Sequence, residues 1–451
     1  MRGTVGGCDD LPVSSRFRIL DLDQLRLEVE RAAFAGSPVL RDSFGLEAEA
    51  FVVRSDARAA GARVSLEEAL ALAQSAAARA DAALELPEDV DFGRTAALDA
   101  PALRVRAGGQ IAVFSGAFGR PADTYAEFSR VRGVLESSAS ALGYGLVSMG
   151  FDPWNSLASV AHPPRSVTES CLDVARAGDA ARECRRLAAG LRVFVGGGAA
   201  IAAAARLQCA ARLAPLLDAS FAFSPLRCGS SCGSPSTRSD SRRRARAASE
   251  SCASALEAAP LLECALETHV PFVRGPERWY PVAHELSFRT WMERGHLGLF
   301  PDLDDFRSHL AALELPARLR GWIEIDACDA LPPPFDSVPL TLWSAVLEDA
   351  EARATLEQQE QATGALTARH VFGAAAGALL RRTSGWIAPE MLAAYVEFGR
   401  RFVFRARTPS DDVLALFAAR RGFEWVQYRE LLDAWSSACG VSTARDDQRA
   451  A

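Results

Sequence analysis

Apolar and polar positions alternate along this chain with two distinct periods. Over residues 20–35, Leu22, Leu25, Leu27, Val29 and Ala32 approximate one face of a helix, with Asp21 and Asp23 placed to cap it. Residues 44–53 switch to period two, so a strand should carry Glu47 and Glu49 on one face. Ser65-Leu66-Glu67-Glu68 is an N-terminal signature for a helix running to residue 83. Two short β runs, 103–106 and 111–114, flank Ala107-Gly108-Gly109-Gln110 and read as a hairpin. A helix over 123–142 and a strand over 145–151 follow. Further on, the pattern predicts a helix over 179–187, a β run over 191–195, a turn at Gly196-Gly197-Gly198 and a helix over 199–217. Residues 228–252 turn to Ser, Gly and Arg and lose apolar periodicity, which predicts a mobile surface loop. Trp322-Ile323-Glu324-Ile325-Asp326 alternates again, with both carboxylates on one face. A proline-rich stretch, 331–339, precedes a helical last hundred residues that include helices over 340–350, 390–401 and 410–419.

Composition narrows the chemistry. The chain has 451 residues, 50 basic against 57 acidic, and every basic residue is arginine. Without lysine, Schiff-base chemistry, a Walker-type phosphate lysine, a biotinyl or lipoyl attachment and an adenylated lysine are all excluded. Arginine still binds phosphate and carboxylate, and does so through two parallel hydrogen bonds. A net charge of -7 argues against a nucleic-acid binder held by counterion release. The run Arg242-Arg243-Arg244 with Arg246 reads as a solvated loop. The first 17 residues lack a basic start followed by an apolar stretch, so no secretory leader is expected. The apolar run 196–205 is too short to span a bilayer. Ten cysteines without framework spacing read as free thiols of a cytoplasmic protein; Cys228 and Cys232, four apart with Cys252 downstream, are the exception, where a zinc site would need a fourth ligand and a tighter second pair.

Three local patterns carry candidate chemistry. Glu47 and Glu49, at i and i+2 on a strand, project the same way about 7 Å apart, a spacing that suits oxygen ligands of a hard cation. Paired glycines at Gly108-Gly109 let a backbone approach a ligand, and Gln110 offers both donor and acceptor. Arg318 and Arg320 lead into the strand that presents Glu324, and arginines suit carboxylate or phosphate. A charged strand surface, an ordinary Gly-Gly turn and a surface ion-pair ladder would give each pattern separately.

In this order the three patterns resemble the plant-type and actinobacterial glutamate-cysteine ligases, a family of ATP-dependent carboxylate-amine ligases. The resemblance runs from about residue 20 to about residue 350. It is carried by Gly45-Leu46-Glu47-Ala48-Glu49, by Gly108-Gly109-Gln110 through Ser115-Gly116-Ala117, and by Leu142-Gly143 to Gly150-Phe151-Asp152-Pro153-Trp154. Ser220-Phe221-Ala222-Phe223-Ser224-Pro225 and the stretch from Phe306 and His309 through Arg318, Glu324 and Asp329 complete it. The resemblance implies an α/β (α+β) fold: a curved, largely antiparallel sheet of the glutamine-synthetase-like type with flanking helices. A ligase-like domain would span 14–350, with a helical region, 351–451, packed on it. It also implies small-molecule substrates, glutamate and an amine such as cysteine, with ATP and Mg²⁺ as cofactors. On that pattern Glu47, Glu49 and Glu324 are catalytic metal ligands, Gln110, Arg318 and Arg320 meet substrate, and Gly108 and Gly109 meet the nucleotide.

The chain departs from the family pattern at defined positions. Arg106 and Ala112 stand where the family's hairpin carries glutamates. The family's amide-and-carboxylate strand reads Arg192-Val193-Phe194-Val195-Gly196 here, and Asp326 replaces an arginine two residues after Glu324. The changes at Arg106, Ala112 and the 192–196 strand remove oxygen ligands or add positive charge beside one, which weakens a Mg²⁺ site, whereas Asp326 adds a carboxylate that a working ligase could use to rebuild it. Two readings follow: a working ligase of altered acid or amine specificity, or a catalytically lapsed relative retained as a small-molecule-binding or regulatory protein.

Overall fold

The computed structural model describes residues 20–34, 43–56, 58–85, 100–160, 179–197, 200–245, 258–270, 272–275, 279–282, 285–313, 315–319 and 322–440. Its centre is the strand β1 (Phe44–Arg54), eleven residues long and buried over ten of them. Alternation puts Leu46 and Ala48 on one face and Glu47 and Glu49 on the other, and both faces are covered. In chain order the other strands are β2 (Ala83–Glu85), β3 (Ala102–Val105), β4 (Ile111–Phe114), β5 (Tyr144–Val147) and β6 (Gly190–Gly196). A short hairpin, β7 (Leu226–Arg227) with β8 (Ser230–Ser231), and a second, β9 (Phe272–Arg274) with β10 (Trp279–Pro281), lie outside the main sheet. The main sheet closes its order with β11 (Ala317–Leu319) and β12 (Trp322–Asp329).

Eight strands pair in the order β11-β12-β6-β1-β4-β3-β2, with β5 on the far half of β1. Every pair is antiparallel except β2 with β3. The first half of β1 is flanked by β4 and β6, and its second half, Phe51 to Arg54, pairs with β5. This mixed α/β architecture with a mostly antiparallel sheet is the fold class expected from the sequence.

The apolar side of the sheet, including Leu46, Val105, Val113, Val193 and Ile323, belongs to the largest hydrophobic cluster. Helices close it. Leu66–Ala80 starts at Ser65, whose hydroxyl accepts the Glu68 N–H while Glu68 reaches back to the Ser65 N–H, as the sequence indicated. Pro121–Ala141 begins with proline at its first position. Val338–Glu348 is buried at ten consecutive positions, so it is apolar all round and runs through the core. The same cluster continues through Leu356, Phe372, Phe398 and Trp435, joining the C-terminal helices to the sheet. A separate cluster unites Leu25 and Val29 with Leu266, Phe288, Trp291 and Phe306.

Three expectations need correction. Within 228–252, residues Thr237–Ala245 form a helix, and a strand of the short hairpin precedes it, while 246–252 lie outside the described residues. The helix forms because Arg238 and Arg242, four apart, meet one buried partner, a pairing that outweighs the polar composition. The strand expected over 145–151 ends at Val147, where β4 takes over the pairing with β1 and the Ser148 N–H turns to the Tyr428 hydroxyl. Cys264 is disulfide-bonded, whereas the other described cysteines form no disulfide. No described helix is long and apolar enough to cross a membrane.

Candidate active site

The polar face of the sheet gathers side chains from β1, β6, β11, β12, the end of β3 and the helix Thr237–Ala245. Cross-strand register sets the row Arg192, Glu47, Phe114 and Ala102 over β6, β1, β4 and β3. Beside it, Glu324 faces Phe194 on one side and Arg318 on the other. Arg192, directly opposite Glu47, donates from Nη1 to both carboxylate oxygens at 2.8 and 2.9 Å. The same guanidinium lies 3.8 Å from Glu49, 3.2 Å from Asp326 and 3.8 Å from Glu324.

Each of those carboxylates has a second cation. Arg106 pairs with Glu47 and lies 3.0 Å from Glu49, which also accepts the Gly190 N–H at 2.8 Å. Arg318 pairs with Glu324 and donates to the Leu313 carbonyl. Asp326 is held by Arg238 and, at 3.2 Å through both carboxylate oxygens, by Arg242. Asp329, at the far end of β12, accepts from the Phe223 N–H and the Ser224 and Ser236 hydroxyls.

Electrostatics follow the partners. Burial pushes the Glu47 carboxyl up, but Arg192, Arg106 and Arg104 outweigh it and hold the group below its usual range. Asp326 is likewise buried and yet held well below the usual carboxylate range by Arg192, Arg242, Arg238 and Arg318. Asp329 goes the other way: burial, reinforced by Asp218, raises it to about 6 against the opposing pull of Arg238.

The structure thus brings Glu47, Glu49, Glu324 and Arg318 together. As a divalent-ion site the donor set does not fit. All four carboxylates around Arg192 are spent on guanidiniums, and among the described residues no group of three His, Cys, Asp or Glu side chains is placed to hold a metal. A magnesium ion needs several free oxygens at close range, and here each carboxylate is paired with guanidiniums instead.

The hairpin residues serve a different purpose from the one expected. Gln110 accepts the Gly108 N–H at 3.0 Å and donates to the carbonyls of Arg185 and Ala188, so its amide is fully engaged with backbone. A Cβ on Gly108 would lie 2.2 Å from the Arg186 carbonyl oxygen, so this glycine admits the chain's own backbone. Gly109 has φ +76°, a turn conformation that favours glycine. Arg63, paired with Asp152 at 3.0 Å, also donates to the Gly108 carbonyl and stacks over Phe51. Arg320 lies outside the described residues.

The sequence marked Arg106 and Arg192 only as departures and put Arg242 in a solvated loop, while Arg238 and the aromatic edge were missed. That edge is Phe194 against Trp322, ring centroids 5.9 Å apart and edge to face. The alternation of Trp322, Glu324 and Asp326 carried the signal for one half of it. The i, i+4 spacing of Arg238 and Arg242 carried the signal for the helix.

The chain matches the model of glutamate-cysteine ligase family 2 over residues 43–378. The glutamate-cysteine ligase EgtA of Mycolicibacterium smegmatis is 26% identical over 336 residues, covering 70% of this chain and 78% of that protein. A crystal structure of a glutamate-cysteine ligase (gshA) from Francisella tularensis in complex with AMP superimposes with a TM-score of 0.47 and 9% identity, covering 90% of each chain. With a family match that spans the sheet from β1 to β12 and reaches into the C-terminal helices, this chain belongs to glutamate-cysteine ligase family 2.

Proposed function

We propose that the chain is an ATP-dependent carboxylate-amine ligase of the glutamate-cysteine type, acting on the polar face of the sheet. The observation that supports it most is that the family match contains every strand of that face. In this reaction the γ-phosphoryl group of ATP passes to the side-chain carboxylate of glutamate, giving ADP and an acyl phosphate. The amine of cysteine, or of a related compound, then attacks the acyl carbon, and phosphate leaves as the amide forms. ATP and free amino acids are cytoplasmic metabolites, so the same reading puts the protein in the cytoplasm.

What the chain's own residues contribute is positive charge and shape. Arg106, Arg192 and Arg318 each retain some solvent exposure beside the buried carboxylates, and they can meet the oxygens of a carboxylate or phosphate bidentately. Such fixed charges stabilise the charge that develops during phosphoryl transfer without reorganising at the moment of reaction. Phe194 and Trp322 supply an apolar wall beside them. No step is assigned to a divalent ion, because the donor set does not fit one.

Release of ADP from ATP by the purified chain, with glutamate alone and with glutamate plus cysteine, tests this. Amine-dependent release is the expected result, and its absence from folded protein across a panel of amines would refute the reading. The pairing of every predicted metal ligand with arginine favours a second reading: a lapsed member that binds a small acid without turning it over. Saturable glutamate binding without ADP release would be its signature.

A further inference from the structure

The position of Arg192 has a parallel in metal chemistry: one cation lies within 4 Å of four carboxylates that converge from two strands. Glu47 at 2.8 Å and Glu49 at 3.8 Å come from β1, while Asp326 at 3.2 Å and Glu324 at 3.8 Å come from β12. We propose that the Arg192 guanidinium is a resident cation which takes the place of a divalent metal in this four-carboxylate cage, so that the face handles its anionic ligand without a metal.

The pairing of the carboxylates supports it. The four carboxylates already face five guanidiniums: Arg192 at the centre, Arg106 on Glu47 and Glu49, Arg318 on Glu324, and Arg238 and Arg242 on Asp326. A doubly charged ion entering this set would find each carboxylate already paired with a fixed guanidinium and would meet those guanidiniums at a few ångströms in a poorly solvated site, where like-charge repulsion is strong. An anion meets the opposite situation. The Trp322 indole N–H and the Nε–H groups of Arg106, Arg192 and Arg318 are buried without a hydrogen-bond acceptor, although Arg106 Nε and Arg192 Nε lie near carboxylates at unfavourable angles. Arg192 is tethered to β6 opposite Glu47 and cannot dissociate, so the cage is filled at every metal concentration.

The inference rests on reading this face as the ligand site, but its test does not depend on turnover. Mn²⁺ serves as the probe, titrated into metal-free protein and followed by the loss of its free-ion electron paramagnetic resonance signal. The wild-type chain is expected to leave the signal unchanged up to about millimolar Mn²⁺, far above what an open carboxylate cage needs. Arg192→Gln removes the central charge and leaves Glu47, Glu324 and Asp326 each with another arginine, so the fold should persist, checked by circular dichroism. Its Mn²⁺ affinity should rise at least about tenfold, since the lost charge is worth more than that at these distances. Stoichiometric Mn²⁺ binding by the wild type, abolished by Glu47→Gln, overturns the proposal. So does a folded Arg192→Gln chain that binds Mn²⁺ no better than the wild type. If Arg192→Gln does not fold, the wild-type titration decides. Absence of ADP release would count against the ligase reading alone and would leave these titrations to be judged independently.

Discussion

Two buried ionic clusters share the polar side of this sheet, and they are built for different ends. Around Asp152, one guanidinium meets one carboxylate, the Asn155 amide donates to the same carboxylate, and most of the remaining polar contacts go to main chain. Arg63 reaches the Gly108 carbonyl, Asp152 collects the Trp154 and Asn155 N–H groups, and Gln110 binds the carbonyls of Arg185 and Ala188. Both members of the pair are sealed, with side chains 3% and 1% exposed. Around Arg192 the contacts run mostly from side chain to side chain, and the Arg106 and Arg192 side chains keep 24% and 20% of their surface open. A cluster that ends on backbone fixes a turn. One that ends on other charges and opens to solvent can exchange a partner for a ligand.

The sharpest way to separate the two is to remove one charge from each. Asp152→Ala strands the sealed Arg63 guanidinium and frees the 152–155 turn. It should cost about 3–5 kcal/mol in urea unfolding, the usual loss when one partner of a buried pair is deleted. A pH series examines the junction beside the Arg192 cluster. Asp329 keeps its proton to about 6 when folded, against an ordinary value of 3.8. Over that window the folded state binds more protons than the unfolded one, so stability should fall as pH rises from about 4 to about 6, by roughly 2–3 kcal/mol. Asp329→Asn should flatten that slope. Asp326, held well below its ordinary value, contributes stability of opposite sign that is lost only as pH falls below 4. An unchanged slope in Asp329→Asn would contradict the assignment.

Smaller effects sharpen the same contrast. Gly108→Ala drives a methyl group into the Arg186 carbonyl, a backbone atom that cannot rotate away, and should cost about 1–3 kcal/mol. Arg192→Gln should destabilise by only about 1–2 kcal/mol, because Glu47, Glu324 and Asp326 each retain a second arginine. If it proves as costly as Asp152→Ala, the Arg192 cluster is structural too. Trp322→Phe deletes an indole N–H that has no acceptor while keeping the ring beside Phe194, so stability should stay within about 0.5–1 kcal/mol of wild type.

Much of this architecture was legible before any coordinates. Period-two alternation marked β1, β12 and the 102–114 hairpin, and Ser65 with Glu68 marked the start of a helix correctly, because those signals are local. What resisted reading was long-range pairing. Nothing near Glu47 in sequence announces Arg192, 145 residues away, as its partner, and nothing near Asp326 announces Arg238 and Arg242. The Ser/Arg composition of 237–245 suggested a solvated loop because composition does not register that two of its arginines face a buried carboxylate. Gly108-Gly109-Gln110 looked like a ligand cradle for a related reason. A glycine that admits the chain's own backbone and one that admits a phosphate are identical in sequence.

The most direct test is calorimetric titration of the wild-type chain with ATP, once in excess EDTA and once with excess Mg²⁺. A ligand site built on Arg106, Arg192 and Arg318 should bind ATP in EDTA with an affinity within about threefold of that in Mg²⁺, since guanidiniums supply the countercharge. Binding that appears only with Mg²⁺ would contradict it, and would mean that the carboxylates release their arginines to hold a metal.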